Sequence, residues 1–286
     1  MQEFITALTQ YTFLQTALIA GILASIGCGI IGPFVVVKRI SYLAGGIAHS
    51  VLSGMGIALY LQFDPFIGAL IAAIAAALII GTVRLVWDTQ EDTMIGALWA
   101  MGMAIGILFS ANTPGYNTDL MSYLIGNILL VSTKDLWWMA GLDIFLLIIM
   151  GLFYNQFLAI AFDEEFAWLR GVPVTFFYLL LLCLIAVTVV LLIRVVGLIL
   201  VIALLTLPAA IALQFIHILG WAMLVAILLG GLFTSAGLAI AYSPDWPVGP
   251  TIILLAGLAY LLSTIISKAI AHQYSRHSFT TNTNKT

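Results

Sequence analysis

The sequence carries very little charge. Of its 286 residues only 7% are Asp, Glu, Lys or Arg, whereas soluble domains average about 25%. The hydrophobic share is 63% and the mean hydropathy is +1.20, which is more apolar surface than one protein core can hide. Because only a lipid bilayer can solvate it, the composition excludes a soluble globular protein and predicts a polytopic membrane protein.

Several other features are absent. The net charge is −3 and neither sign forms a long tract, so we exclude a nucleic-acid partner. Cys28 and Cys183 lie in apolar runs without a Cys-x-x-Cys pair, which predicts packing residues rather than a metal site. No phosphate-binding G-x-x-x-x-G-K-[ST] motif occurs, so any ATP must be bound by another chain. The N-terminus lacks the basic region of a signal peptide, and we expect no cleavage.

Nine apolar runs approach the roughly 20 residues that a transmembrane helix needs. They are residues 13–37, 41–62, 65–86, 92–112, 135–154, 174–194, 196–215, 219–241 and 250–270. The break between residues 194 and 196 is weak, so an eight-span count stays open. Residues 113–134 are too polar to span and predict a short or re-entrant helix. The fold class is therefore an all-α bundle of eight or nine transmembrane helices, in which small residues such as the GxxxG pair Gly102 and Gly106 predict close packing.

The distribution of Lys and Arg predicts the orientation of the bundle. With a cytoplasmic C-terminus, seven of the nine basic residues fall inside, namely Lys38, Arg39, Arg84, Arg170, Lys268, Arg276 and Lys285. Only Lys134 and Arg194 then fall outside, as the positive-inside rule requires. Residues 1–271 form one transmembrane domain, and the polar tail at 272–286 is expected to be a disordered cytoplasmic segment.

Two titratable groups lie at bilayer depth, where a charge costs roughly 2.5–3.5 kcal/mol to insert. His49 is about 12 Å into the second span at 1.5 Å per residue, among small residues and the hydroxyls of Ser50 and Ser53. Its imidazole suits a metal or proton pathway, or a hydrogen bond between helices. Asp143, in the middle of the fifth span, is a second candidate metal ligand or a structural partner for a neighbouring hydroxyl or amide.

The most structured polar stretch is FDEEFAWLRGVPV at residues 162–174. Asp163 suits an N-cap, the two glutamates after it suit the positive end of a helix, and Gly171 suits the position after the last turn. Pro173 stops the helix. Since a mere connector does not need both caps and two exposed aromatic side chains, we predict a two-turn helix offered to a soluble partner.

Five blocks of sequence, in this order along most of the chain, resemble a known family. They are GPFVVVKRISYLAGGIAHSVLSG (32–54), DLMSYLIGNILLVSTKDL (119–136), FDEEFAWLRGVP (162–173), VVGLILVIALLTLPAAIAL (195–213) and VGPTIILLAG (248–257). The family is the membrane permease subunit of ABC importers for zinc, manganese or iron(II), the metal ABC permease family 3.

The resemblance implies a homodimeric permease in the cytoplasmic membrane of a prokaryote, working by alternating access. Its partners would be two cytoplasmic ATPase subunits, which hydrolyse the ATP, and an extracytoplasmic metal-binding protein. The chain itself would then be no enzyme and would bind no cofactor, and its cargo would be a divalent metal ion. His49 corresponds to the metal-pathway histidine, while Gly45 stands where many members have an aspartate. The residues implied to couple the ATPase are Asp163, Glu164, Phe166, Ala167, Gly171 and Pro173.

Three alternative functions are compatible with a polytopic membrane protein. A secondary metal transporter predicts more intramembrane carboxylates than Asp143 and an inverted repeat, which we do not find. An intramembrane enzyme would pair His49 with a serine, but adjacent helical residues point about 100° apart and no oxyanion motif is present. An ABC permease for vitamin B12 or a metal-siderophore is the nearest rival, although such subunits tend to be longer with an extra span.

Overall fold

A computed structural model describes residues 2–86, 91–113 and 126–283 of the chain. Within those ranges the chain is helical, without a β-strand. The helices are α1 (Gln2–Gln10), α2 (Thr12–Val37), α3 (Ser41–Tyr60), α4 (Pro65–Val86), α5 (Glu91–Ala111), α6 (Thr133–Leu152), α7 (Tyr154–Phe162), α8 (Glu164–Leu169), α9 (Val174–Val196), α10 (Leu198–Phe215), α11 (Leu219–Tyr242) and α12 (Val248–Thr283), with a 3-10 turn at Ile128–Leu130.

Nine helices in the described ranges are long and apolar enough to cross a membrane, which confirms the larger span count. They are α2, α3, α4, α5, α6, α9, α10, α11 and α12. The weak break between the sixth and seventh spans is real: Gly197 separates α9 from α10 with φ +83°. A side chain would strain that backbone conformation, so glycine is the residue that permits the chain to reverse there.

Three segments differ from the sequence-based expectation. Helix α1 lies before the first span, where no helix is predicted, and α7 occupies the first part of the stretch expected to be a cytoplasmic loop at 155–173. Helix α7 forms because Phe157 and Ile160 are buried against the bundle, and such packing stabilises a short helix that propensity alone does not. Helix α12 continues through Thr283, in contrast to the disorder expected from residue 272. Residues 258–283 contain no Gly or Pro, so a helix that has formed in the span can continue without forming a new nucleus.

The segment expected to be a short or re-entrant helix lies partly outside the described residues, which exclude 114–125. Its described end contains the Ile128–Leu130 turn, where Asn127 Oδ1 accepts a hydrogen bond from the backbone N–H of Leu129 at 3.1 Å. Helix α6 then begins with a capping box between Ser132 and Asp135, which satisfies donors at the helix start.

Helix α3 packs on α4 and α5 through contacts between backbones. A Cβ on Gly54 would overlap the carbonyl oxygen of Gly68 on α4. On the other side, a Cβ on Gly102 would lie 2.9 Å from Cα of Ser50, and one on Gly106 would lie 2.5 Å from the carbonyl oxygen of Leu52. The GxxxG pair on α5 therefore lies at the helix contact that it predicts, where the absence of side chains lets the helices approach.

Helix α2 is the centre of the other half of the bundle. It contacts α6, α10 and α11, and fifteen of its residues are buried. Its glycines also face neighbouring backbones: a Cβ on Gly29 would lie 2.7 Å from the backbone nitrogen of Ile227 on α11. A Cβ on Gly32 would overlap the carbonyl oxygen of Leu205 on α10. Both halves of the bundle thus depend on small residues at their contacts.

We predict that Gly54→Ala destabilises the protein by about 1–3 kcal/mol, because the added methyl group would have to push α4 away from α3. The matched control is Gly141→Ala on α6, where nothing lies within 4 Å of a built Cβ. The measurement is the free energy of unfolding in mixed detergent micelles. Equal stability of the two variants would contradict close α3–α4 packing.

Candidate functional site

Helix α8 is capped at both ends, as the sequence predicts. The Oδ1 atom of Asp163 accepts a hydrogen bond from the backbone N–H of Phe166 at 2.9 Å. At the other end, the N–H of Gly171 donates to the carbonyl of Trp168 at 2.9 Å, and the N–H of Val172 donates to that of Ala167 at 3.0 Å. Gly171 has φ +77°, so these bonds form the glycine-ended helix stop that satisfies the last carbonyls. Pro173 begins the next helix as the N-cap of α9.

One face of α8 is turned away from the bundle. Phe166, Trp168 and Leu169 are 49%, 71% and 75% exposed, whereas Ala167 is fully buried. The guanidinium of Arg170 lies 5.0 Å from the centre of the Phe166 ring. Ala167 therefore seats the helix on the bundle, while the three large apolar side chains form an exposed patch of the kind that marks an interaction site.

Helix α8 is tied to the bundle by Lys38, the residue that follows α2. Its Nζ atom forms an ion pair with Glu164 and donates a hydrogen bond to the carbonyl of Ile160 at 2.8 Å. Nζ also lies 5.9 Å from the centre of the Tyr178 ring. The hydroxyl of Tyr178 accepts a hydrogen bond from Arg84, at the end of α4, at 3.0 Å. Lys38 and Arg84, both expected on the cytoplasmic side, thus lie at the same end of the bundle as α8, and Lys38 contacts α8 directly.

The opposite end carries a separate set of charges. A cavity there is lined by Asp64, Lys134 and Asp135, with Trp138, Leu191 and Val195. Asp64 precedes α4, which ends near Arg84, and Val195 lies at the end of α9, which begins near Tyr178. Lys134, expected outside, is therefore at the other end of the bundle from the basic residues around α8.

His49 lies midway along α3 and faces α5. Its ring is stacked on the indole of Trp99, with centroids 4.0 Å apart and planes 14° apart. The ring is half-buried, and Nδ1 is buried with no hydrogen-bond partner among the described residues. Among those residues, therefore, the histidine has an aromatic neighbour rather than the polar one that a hydrogen bond between helices would give Nδ1.

Gly45 lies one turn before His49 and leaves space beside the same indole. A Cβ there would make an ordinary contact, 3.7 Å from Cζ3 of Trp99, and would meet no other described neighbour within 4 Å. The backbone at position 45 could thus carry a side chain, so steric crowding does not explain why glycine stands where an aspartate is expected.

Asp143 occupies a different environment. It is buried on α6, and its Oδ1 lies 3.0 Å from the position that a Cβ on Gly27 of α2 would take. Its Oδ2 is buried with no hydrogen-bond partner in the described part of the chain. The hydroxyl of Thr188, near the same glycine, donates instead to the carbonyl of Leu184 at 2.8 Å. A buried polar atom without a partner is costly, so Asp143 stays a candidate for a functional role.

Within the described ranges, no group of three or more His, Cys, Asp or Glu side chains could hold a metal ion. One chain thus offers His49 and Asp143 on different helices, without a closed coordination shell. A structural zinc site, by comparison, usually has four protein ligands around the metal.

The chain matches the model of the ABC 3 transport family over residues 10–267. It belongs to the ABC 3 transport family. Among its relatives is an uncharacterized membrane protein of Synechocystis, 45% identical over 92% of this chain and 94% of that protein. A protein of Halalkalibacterium halodurans named as a manganese transport system membrane protein is 35% identical over 92% of this chain and 90% of its own. A manganese import system permease protein of Streptococcus gordonii is 33% identical, covering 93% and 96%.

Solved structures agree with this family membership. The structure of PsaBC from Streptococcus pneumoniae in complex with Fab contains a chain that superposes with a TM-score of 0.82, at 34% identity, covering 92% of this chain and 94% of that one. A putative metal-chelate type ABC transporter in an inward-facing conformation superposes at 0.68 with 12% identity, over 88% and 85%. The second likeness shows the fold alone.

The sequence analysis did not predict the contacts of two residues at the candidate sites of this ABC 3 family member. Lys38 is separated from Glu164 by 126 positions, and no local pattern predicts their contact. Trp99 lies in an apolar run, where an aromatic residue signals only packing. Trp99 lies one turn before Gly102 and two turns before Gly106, and this shared helix face is the signal that could have placed it toward α3.

We predict that Asp163→Ala weakens α8, because the N-cap hydrogen bond contributes about 1 kcal/mol, or about fivefold in the local opening equilibrium. Hydrogen exchange of the backbone amides of residues 166–172 should accelerate by that factor. Asp163→Asn, which keeps an accepting oxygen, should exchange like the wild type. Equal exchange in all three proteins would show that the cap does not hold the helix.

Proposed function

We propose that this chain is the membrane subunit of an ATP-driven importer that moves a divalent transition metal ion, Mn²⁺, Zn²⁺ or Fe²⁺, across the cytoplasmic membrane. The observation that carries the proposal is the match to manganese import permeases over more than nine-tenths of the chain. That match includes both α3, with His49, and the capped helix α8. The ABC 3 family membership supports an ATP-driven transporter, and the ATP would be hydrolysed by a partner subunit.

Helix α8 is the proposed docking site for the cytoplasmic ATPase. Its support is geometric: the helix is capped at both ends, seated through Ala167, and exposes Phe166, Trp168 and Leu169 beyond the end of the bundle. A short rigid helix between two spans can transmit a push from a soluble subunit, because its ends are fixed to α7 and α9. Gly171 and Pro173 would keep the second junction short.

The proposed path for the metal runs past His49. A hydrated divalent ion must exchange some of its water for protein ligands in order to cross, yet these ligands must be few enough to release it. One half-buried imidazole per subunit meets that requirement, and Gly45 leaves room beside it for the ion's remaining water. We extend this role to Asp143 as a second candidate ligand, since its Oδ2 has no partner among the described residues.

The complete transporter would hold two copies of this chain, two ATPases and an extracytoplasmic metal-binding protein. With two copies, two His49 side chains could face one path, which replaces part of the coordination that a carboxylate at position 45 would give. Closure of the ATPases around ATP would then open the path alternately to either side. In the proposed orientation, the charged cavity at Asp64, Lys134 and Asp135 would face the side from which the binding protein delivers the metal.

We predict that cells that express this permease with its co-encoded partners take up one of radioactive Mn²⁺, Zn²⁺ or Fe²⁺. His49→Ala should lower that uptake about tenfold or more, a factor that corresponds to about 1.4 kcal/mol, because the path loses a ligand. The matched control is His217→Ala, at an exposed histidine between α10 and α11. Unchanged uptake in His49→Ala at equal expression would remove the histidine from the path. Uptake of no metal ion would favour a vitamin B12 or metal-siderophore importer.

We further predict that Trp168→Ala weakens co-purification of the ATPase by about tenfold, because buried Trp side chains dominate protein interfaces. Trp137→Ala serves as the control, since Trp137 on α6 is 76% exposed against 71% for Trp168 but lies at the other end of the bundle. Binding affinity is measured with purified subunits in detergent. An equal loss in both variants would contradict docking on α8.

A further inference from the structure

Lys38 holds an unusual position for a lysine at the end of a transmembrane helix. It is the C-cap of α2, and its side chain is only 7% exposed, although long basic side chains at helix ends ordinarily reach into water. Nζ instead donates to the carbonyl of Ile160, near the end of α7, and pairs with Glu164. One ammonium group therefore joins the end of α2, the end of α7 and the start of α8.

The turn that follows Lys38 is tightly built. The N–H groups of Lys38, Arg39 and Ile40 donate to carbonyls of Phe34, Val36 and Val35 at 2.9, 3.1 and 3.0 Å. Arg39 has φ +58°, a conformation that non-glycine residues rarely adopt. Helix α3 begins two residues after Arg39, at Ser41. Because this turn is short and hydrogen-bonded, a displacement of Lys38 would also displace the start of α3.

His49 lies about two helical turns after the start of α3, which is about 12 Å along the helix axis at 1.5 Å per residue. It cannot bend away from its neighbours easily, because its glycines are in contact with the backbones of α4 and α5. A push at the start of α3 would thus move His49 and these two helices together. The contact from Arg84 to Tyr178 anchors the end of α4 to α9 beside the same lysine.

We propose that the ion pair between Glu164 and Lys38 is the positioning contact through which α8 moves α3, and hence His49. The inference rests on the proposed function, since it takes α8 as the helix that the ATPase moves. Glu164 is suited to the role because its side chain is 43% exposed, so it lies at the boundary between the ATPase side and the buried lysine. Among the described residues, the ion pair with Lys38 belongs to Glu164 and not to the adjacent Glu165, which therefore supplies a matched control.

The test is hydrogen–deuterium exchange of the peptide that covers residues 38–44, measured in the purified permease–ATPase complex with ATP plus vanadate and without nucleotide. No transported metal is needed. In the wild type we expect a nucleotide-dependent difference in exchange. Glu164→Ala should reduce this difference about fivefold or more, the lower end of typical coupling between sites. Glu165→Ala should keep it.

A second variant separates the ion pair from a direct contact between Glu164 and the ATPase. Lys38→Met removes the charge at a site too buried to touch a partner, and it should reduce the difference as much as Glu164→Ala. The double variant should show no further loss. If Lys38→Met does not assemble, Lys38→Gln keeps a donor for the Ile160 carbonyl without the charge.

Three results would overturn the proposal. They are no nucleotide-dependent difference in the wild type, a full difference in Glu164→Ala, and a loss in Glu164→Ala that neither Lys38 variant shares. Failure of the proposed function is recognised separately, by Mn²⁺ uptake in proteoliposomes. If the wild type imports Mn²⁺, Glu164→Ala should import less Mn²⁺ per ATP hydrolysed, whereas a merely structural ion pair would lower both rates together.

Discussion

Contact between helix backbones is the constraint on which the rest of the structure depends. Lipid solvates apolar side chains as well as a protein interior does, so the nine spans cannot be held together by hydrophobic burial alone. The bundle instead brings α3 against α4 and α5, and α2 against α10 and α11, at glycines where a Cβ would overlap a neighbouring backbone. Helix α3 is thereby packed between α4 and α5, so His49 lies on a rigid helix.

The same solvent determines where polar chemistry occurs. Described charges gather at the two ends of the bundle, with Lys38, Arg84 and Glu164 at one end and Asp64 and Lys134 at the other. Between them, His49 and Asp143 are exceptions that the bilayer makes costly. The proposed function supplies a reason for such a division: one end would meet the ATPase, the other would receive the metal ion, and the path between them would carry few ligands.

Sequence patterns predicted the features that local chemistry determines. The spans follow from uninterrupted apolar runs, and the caps of α8 follow from Asp163 and Gly171, whose hydrogen bonds join residues within a few positions. Helix α7 was not predicted because its burial against the bundle, rather than its own helix propensity, stabilises it. Two contacts were not predicted because they join segments that are distant in the sequence. They are the stack of Trp99 on His49 and the ion pair of Lys38 with Glu164.

An electron cryo-microscopy structure of the permease–ATPase complex, prepared with Mn²⁺ and trapped with ATP plus vanadate, would test both proposed sites at once. The account predicts that the ATPase contacts α8 through Phe166 and Trp168, and that density for the metal lies beside His49 in the membrane. Docking of the ATPase at another part of the cytoplasmic end, or metal bound away from both His49 and Asp143, would contradict it.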